Sequence, residues 1–189
     1  EQKHREWVKL HACVGVRSKI ITDPIVTPGK GKGTGDKSNF ATLVEGTGEG
    51  FQVKEVSADG AYATKQNHHA VKLLGGEALI PFHEGFELGH RSYAGGPAAK
   101  TWRKAFHYFA LHQDEFWGRY HKRSNVESTF SGIKRTLGEG LVSKKPLAQQ
   151  NEVLCKVIAW NIRCVVRAMM ELGVEPVFGE RRVMELPEV

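Results

Sequence analysis

Cysteine is scarce, and no apolar run is long. Cys13, Cys155 and Cys164 are an odd set with no Cys-x-x-Cys pair, which argues against a disulfide framework or a zinc finger and fits a reducing cytoplasm. The most apolar stretch, Val153 to Leu172, is broken by Lys156, Asn161, Arg163, Arg167 and Glu171. It never reaches the ~20 uninterrupted apolar residues of a membrane span, so a buried helix is expected and a membrane partner is not. Internal repeats and low-complexity tracts are lacking. So is a charged-then-apolar leader: the chain opens Glu1-Gln2-Lys3-His4, which reads as a fragment or processed chain without a targeting peptide.

What is present suits one domain of 189 residues with 40% hydrophobic content, long enough for a sizeable core and short for two. The 27 Lys and Arg outnumber 21 Asp and Glu, a weak pointer to a polyanionic partner. Their distribution says more. From Lys100 to Arg135 eight cationic residues face three acids, Asp114, Glu115 and Glu127, which places +5 of the net +6 in that stretch.

Val- and Ile-rich segments at Trp7 to Val16 and Lys19 to Val26, separated by Gly15 to Ser18, predict an antiparallel hairpin. The Gly-rich stretch Thr27 to Asp36 is a loop, without the spacing of a phosphate-binding loop, and a short helix follows to about Glu45. Phe51 to Ala58 reads as a strand ending at Asp59-Gly60, Asn67 to Leu74 as a helix and Ala78 to Phe82 as a strand, together a parallel βαβ unit. His83 to Ala99 is a connection. Helical periodicity then dominates at Trp102 to His112, Asp114 to Tyr120, Asn125 to Leu137 and Ala148 to Leu172, the last closed by Gly173. Val174 to Val189 reads as an extended polar tail. The class is α/β with a helical C-terminal part.

Tyr120, Arg123, Glu127 and Lys134 carry the strongest chemical signal. On one continuous helix Arg123 would lie about 40° from Glu127, and Tyr120 and Lys134 about 20° from it. Val126, Phe130, Ile133 and Leu137 would form an adjoining apolar stripe packed on the core. That geometry suits a metal-binding carboxylate flanked by phosphate-binding cations. A purely structural reading competes with it: Ser124 to Glu127 is also a capping box, and Arg123 with Glu127 an ordinary i,i+4 ion pair. The four-residue spacing would arise by chance in a chain of this length roughly once in a thousand.

The segment Tyr120-His-Lys-Arg-Ser-Asn-Val-Glu-Ser-Thr-Phe-Ser-Gly-Ile-Lys-Arg135 resembles the signature of DDE transposases of prokaryotic insertion sequences, the group with the Tyr-Arg-Glu-Lys motif. Leu141-Val-Ser-Lys, Asn151 to Lys156, Trp7 to His11 and Ala58-Asp-Gly-Ala-Tyr62 are similar to that family as well. The resemblance implies one RNase H-like catalytic domain over 1–189, a mixed sheet flanked by helices. It implies metal-dependent cleavage of transposon-end DNA and strand transfer into target DNA. Asp59 and Glu127 match catalytic, metal-binding carboxylates. Arg123 and Lys134 match phosphate contacts, with Tyr120 beside them on DNA, and His121 and Lys122 are further DNA-contact candidates. The implied cofactor is a pair of Mg²⁺ (or Mn²⁺) ions, the partner double-stranded DNA, with a homodimer assembled on it and a nucleoid-associated, cytoplasmic location. One departure stands out. The family's first catalytic Asp lies on a strand before the segment resembling Trp7 to His11, and the six residues here contain no Asp. Asp23 is on the wrong strand to replace it. The first strand is therefore expected to be missing and the metal site incomplete. The competing reading is a non-catalytic remnant that at most binds DNA through 100–145.

Other residues are read as structural. His68 and His69 point about 100° apart on a helix and are expected to be a polar surface pair. Cys155 and Cys164 are expected in the core on opposite faces of one helix. Trp102, Phe106, Phe109, Phe116 and Trp117 are spaced for core packing, although stacking on bases is the alternative. By itself, Asp59-Gly60 is an ordinary solvated turn.

Overall fold

The computed structural model describes residues 7–31, 35–89 and 95–175. Strands β1 (Val8–Val14) and β2 (Ile21–Pro28) form the expected antiparallel hairpin, with Val8 opposite Pro28 and His11 opposite Ile25. The register shifts between Cys13 and Val14. The turn is closed by Gly15 and Ile20 at 2.8 Å, and Lys19 takes the left-handed conformation with φ 58°. Pro24 and Pro28 in β2 are residues typical of a sheet edge, because they cannot donate to a ladder.

Helix α1 (Asp36–Gly50) runs about a turn and a half past its expected end at Glu45. The βαβ unit follows: β3 (Glu55–Ser57), a 3₁₀ turn at Gly60–Tyr62, α2 (Lys65–Leu73) and β4 (Glu77–Leu79). β3 and β4 are parallel as expected, but each spans three residues rather than the longer runs read from the sequence. Ile80 and Phe82, buried at 0% and 7% exposure, continue the apolar run without strand pairing. Burial of apolar side chains does not require a ladder. The larger correction concerns the sheet. In place of one mixed sheet, the described residues hold two separate two-stranded sheets, β1–β2 and β3–β4.

Among the described residues four α-helices follow: α3 (Pro97–Leu111), α4 (Gln113–Tyr120), α5 (Ser124–Leu137) and α6 (Pro146–Leu172). Gly173 ends α6 in the left-handed conformation, φ 63° and ψ 25°. Alternation in β1 serves two cores. Leu10, Ala12 and Val14 pack on Ile21, Ile133, Val157 and Trp160, while Cys13 joins Phe40, Val44, Val71 and Ile80 on the other side. The hairpin is thus layered between α1 on one face and α5 and α6 on the other. Asn161 holds α6 to the hairpin by accepting from the Ile21 N–H and donating to its carbonyl, both at 2.8 Å. Cys164 packs on this core, whereas Cys155 is exposed, contrary to expectation. Only one face of α6 meets the hairpin, and Cys155 is turned from it. No described helix is long and apolar enough to cross a membrane.

The basic-segment aromatics pack mainly on one another. Phe82 lies 4.6 Å from Trp102 and Phe109 lies 4.9 Å from Phe116, ring centre to ring centre. Trp102 and Phe116 are buried, so these two are core residues. His68 was expected at the surface and is 1% exposed. It stands edge-on to Trp102 at 5.0 Å. Its Nδ1 is 2.9 Å from the Thr64 carbonyl, which can only accept, so the neutral ring carries its proton there. The buried Nε2 has no partner, and burial holds the His68 pKa below its ordinary value despite the Thr64 bond.

The pH consequence has a definite sign. Between the depressed folded-state pKa and the ordinary value near ~6.5 the unfolded chain binds more protons. Stability is therefore fully retained above about pH 6.5 and falls as pH drops through the folded-state pKa. Denaturant midpoints measured from pH 8 to pH 5 should decline on the acid side, and His68→Phe should flatten that decline. A profile unaltered by the substitution would count against a buried neutral imidazole.

Candidate active site

The Tyr120 to Lys134 segment is not one helix. α4 stops at Tyr120, a 3₁₀ turn occupies His121–Arg123, and α5 begins at Ser124. The capping box is not formed either, since α5 has no side-chain cap; the fully helical φ and ψ at Arg123 leave no extended residue to place one. The break changes the geometry that an uninterrupted 100° spacing predicts. Arg123 is swung between two carboxylates: one terminal nitrogen lies 3.2 Å from Glu127 Oε1 and the other 3.9 Å from Asp59 Oδ2. Its guanidinium also lies over the Tyr120 ring, 5.7 Å from the centre.

Each neighbour has a local cause. Asp59 follows β3 and turns the chain, its Oδ1 accepting from the Ala61 N–H at 3.0 Å. The solvated-turn reading of Asp59 is thus correct as far as it goes, and Oδ2 remains for Arg123. Glu127 lies in the first turn of α5, a favourable position for a carboxylate. Both acids are exposed, with side chains 56% and 69% accessible. Burial raises the Tyr120 pKa, Arg123 lowers it, and Asp59 and Glu127 raise it further, so one electrostatic environment links all four groups.

Lys134 is farther along α5. It is exposed and bonded to Glu139 at 2.7 Å rather than to the Arg123 group. His121 is exposed and near Trp117, while the side chain of Lys122 lies outside the described part. In the apolar stripe, Ile133 is buried, but Val126 and Phe130 are only half-buried, contrary to expectation. They line a cavity instead of filling a core.

Asp59 and Glu127 are hard oxygen donors and match a divalent cation in kind. Mg²⁺ keeps several waters and can be held by only one or two carboxylates, but no group of three or more His, Cys, Asp or Glu residues suited to a metal occurs among the described residues. Arg123 also competes for the same oxygens. As arranged, these residues do not complete a metal site.

The Transposase DDE domain family matches residues 1–162. The chain belongs to that family. Its function is accordingly DNA transposition, and the transposase family is one of enzymes that cleave and join DNA with divalent metal. In comparisons with curated proteins and with solved structures, no match was found. The match agrees with the resemblance read from the sequence at the level of the transposase domain.

A second cationic centre in this transposase domain had no sequence signal. Arg119 binds Glu77 at 2.6 Å, Glu55 at 2.7 Å and the Tyr108 hydroxyl at 2.8 Å. Burial works against its charge, but the bonds to Glu77, Tyr108 and Glu55 outweigh burial and raise its pKa. Arg119 ties α4 to β3 and β4, and α4 leads directly to Arg123. One of the eight basic residues in 100–135 is therefore committed to holding the fold.

Proposed function

We propose that this chain is the catalytic domain of an insertion-sequence transposase of the Tyr-Arg-Glu-Lys group, acting at the ends of its element and on target DNA. Asp59 and Glu127 are the proposed catalytic carboxylates, two of the ligands for Mg²⁺ or Mn²⁺. Tyr120, Arg123, Lys134, His121 and Lys122 are the proposed DNA contacts. A single RNase H-like domain, working as a homodimer on DNA at a prokaryotic nucleoid, is the matching architecture. The supporting observation is Arg123 between Asp59 and Glu127, residues distant in sequence and carried on different elements. A cation between two carboxylates occupies the kind of position that a metal ion would compete for, and its guanidinium is a group that a DNA phosphate could draw away from them.

The test uses labelled transposon-end DNA with Mg²⁺ or Mn²⁺. A full-length transposase carrying this segment is expected to nick at the element boundary, and Asp59→Asn and Glu127→Gln should each abolish nicking. Retained nicking in both variants would overturn the assignment. The 189-residue chain alone is expected to be inactive, because two carboxylates are too few to hold two divalent ions. Robust nicking by it, lost in both variants, would refute that expectation.

DNA binding should separate the cations from the acids. Arg123→Ala and Lys134→Ala are each expected to weaken binding across DNA sequences and to reduce the salt slope by up to about one unit, the signature of a lost phosphate contact. A slope unchanged by either substitution would return that residue to its intramolecular ion pair.

A further inference from the structure

Glu55 and Glu77 are paired positions in the β3–β4 ladder. Like charges side by side destabilise a ladder, and this one has only three residue pairs to hold it. Arg119 of α4 resolves the conflict. Its Nε and one Nη donate to Glu55 Oε1 at 3.1 and 2.7 Å, and the same Nη donates to Glu77 Oε2 at 2.6 Å. The other Nη donates to the Tyr108 hydroxyl at 2.8 Å, and that hydroxyl donates in turn to Glu115. Every guanidinium nitrogen is thereby engaged, and a planar fork held in this way fixes direction as well as distance.

α4 has few other ties. Phe116 is its one buried side chain among the described residues, a single apolar pivot about which a short helix can still turn. Arg119 sets the angle. The elements on either side of this tie lead to the two acids of the site. β3 begins at Glu55 and ends at Ser57, just before Asp59, while the chain passes from Arg119 through the 3₁₀ turn to Glu127 in the first turn of α5. Arg119 and Glu127 are eight residues apart. That is about 12 Å of helical rise, so a change of about 5° in the direction of α4 carries Glu127 roughly 1 Å from its place relative to Asp59. A displacement of that size can cost about a hundredfold in rate.

We infer that Arg119 is a positioning residue for DNA cleavage, which sets the spacing of Asp59 and Glu127 by locking α4 to the β3–β4 ladder. The inference rests on the catalytic roles proposed for those two acids. Arg119 acts through other residues: its own partners are Glu55, Glu77, Glu115 and Tyr108.

Two variants separate positioning from folding. Arg119→Lys keeps the charge and loses the fork. The triple variant Arg119→Met, Glu55→Gln, Glu77→Gln removes the tie and leaves no like charges to push the ladder apart. The first readout needs neither metal nor DNA. In hydrogen exchange of the purified 189-residue chain, resolved by mass spectrometry, both variants should speed exchange at least ~5-fold in peptides covering 57–62 and 121–127, with those of α6 unchanged, the pattern of local rather than global opening. In a full-length transposase with Mg²⁺ and saturating transposon-end DNA, kcat should fall at least ~10-fold in the triple variant and less in Arg119→Lys. Val157→Ala, which weakens the core under α6 instead, should lower the melting temperature and leave kcat unchanged. Unaltered exchange at either segment, or full activity of the triple variant, would overturn the inference, as would an equal loss of kcat in Val157→Ala. Active Asp59→Asn and Glu127→Gln enzymes would remove the catalytic assignment and this inference with it. Inactive ones beside a fully active triple variant would remove this inference alone.

Discussion

Trp160→Ala is expected to destabilise the domain by roughly 3–5 kcal/mol, the range for removing a large buried aromatic. Trp160 is 7% exposed and joins three elements. Its ring rests on α5 at Gly132, where even a Cβ atom would come within 2.5 Å of it. Its Nε1–H donates to the Lys19 carbonyl at 2.9 Å, anchoring the hairpin turn, and it packs with Ile21, Ile133 and Val157. Gly132 has no side chain with which to fill the space left by truncation, so little relaxation is available. Against a typical total of about 5–15 kcal/mol, the loss is roughly a fifth or more of stability. Equilibrium urea unfolding measures it directly as a lower midpoint at unchanged slope. Trp160→Phe should fall between the two, since it retains much of the apolar contact but leaves the Lys19 carbonyl without this donor. A loss below about 1 kcal/mol for Trp160→Ala would mean that α6 is not clamped through this residue.

The second large effect should appear in activity with almost none in stability. Asp59→Asn and Glu127→Gln in a full-length transposase are expected to lower DNA cleavage at least ~100-fold, the scale reached when reacting groups are displaced by about 1 Å. Both carboxylates are more than half exposed, and surface ion pairs contribute only about 0–1 kcal/mol. Asn at 59 can still accept from the Ala61 N–H, so the turn after β3 should survive. Melting temperature and end-DNA cleavage, measured on the same preparations, distinguish the alternatives. Activity within tenfold of the parent would leave Arg123 with two ordinary ion-pair partners. A collapse in stability instead would make the pairs structural.

Elements governed by near neighbours were legible in the chain. Val and Ile on either side of Gly15 to Ser18 predict the hairpin, because strand pairing across a short turn needs no distant partner. The periodicity of Ala148 to Leu172 and the glycine after it predict α6, because amphipathicity and a left-handed cap are written within one element. The spacing Tyr120, Arg123, Glu127 and Lys134 carried the family resemblance without requiring any coordinates.

Tertiary structure decided what each side chain meets. His68 and Cys155 exchange their expected environments because polarity describes a residue, whereas burial depends on which face another element covers. The 3₁₀ turn at His121–Arg123 has neither proline nor glycine to announce it, yet it reorients Arg123 between Asp59 and Glu127. Arg119, bonded to Glu55 and Glu77 ahead of that turn, illustrates why: partners far apart in sequence set the direction of α4 and hence where α5 begins.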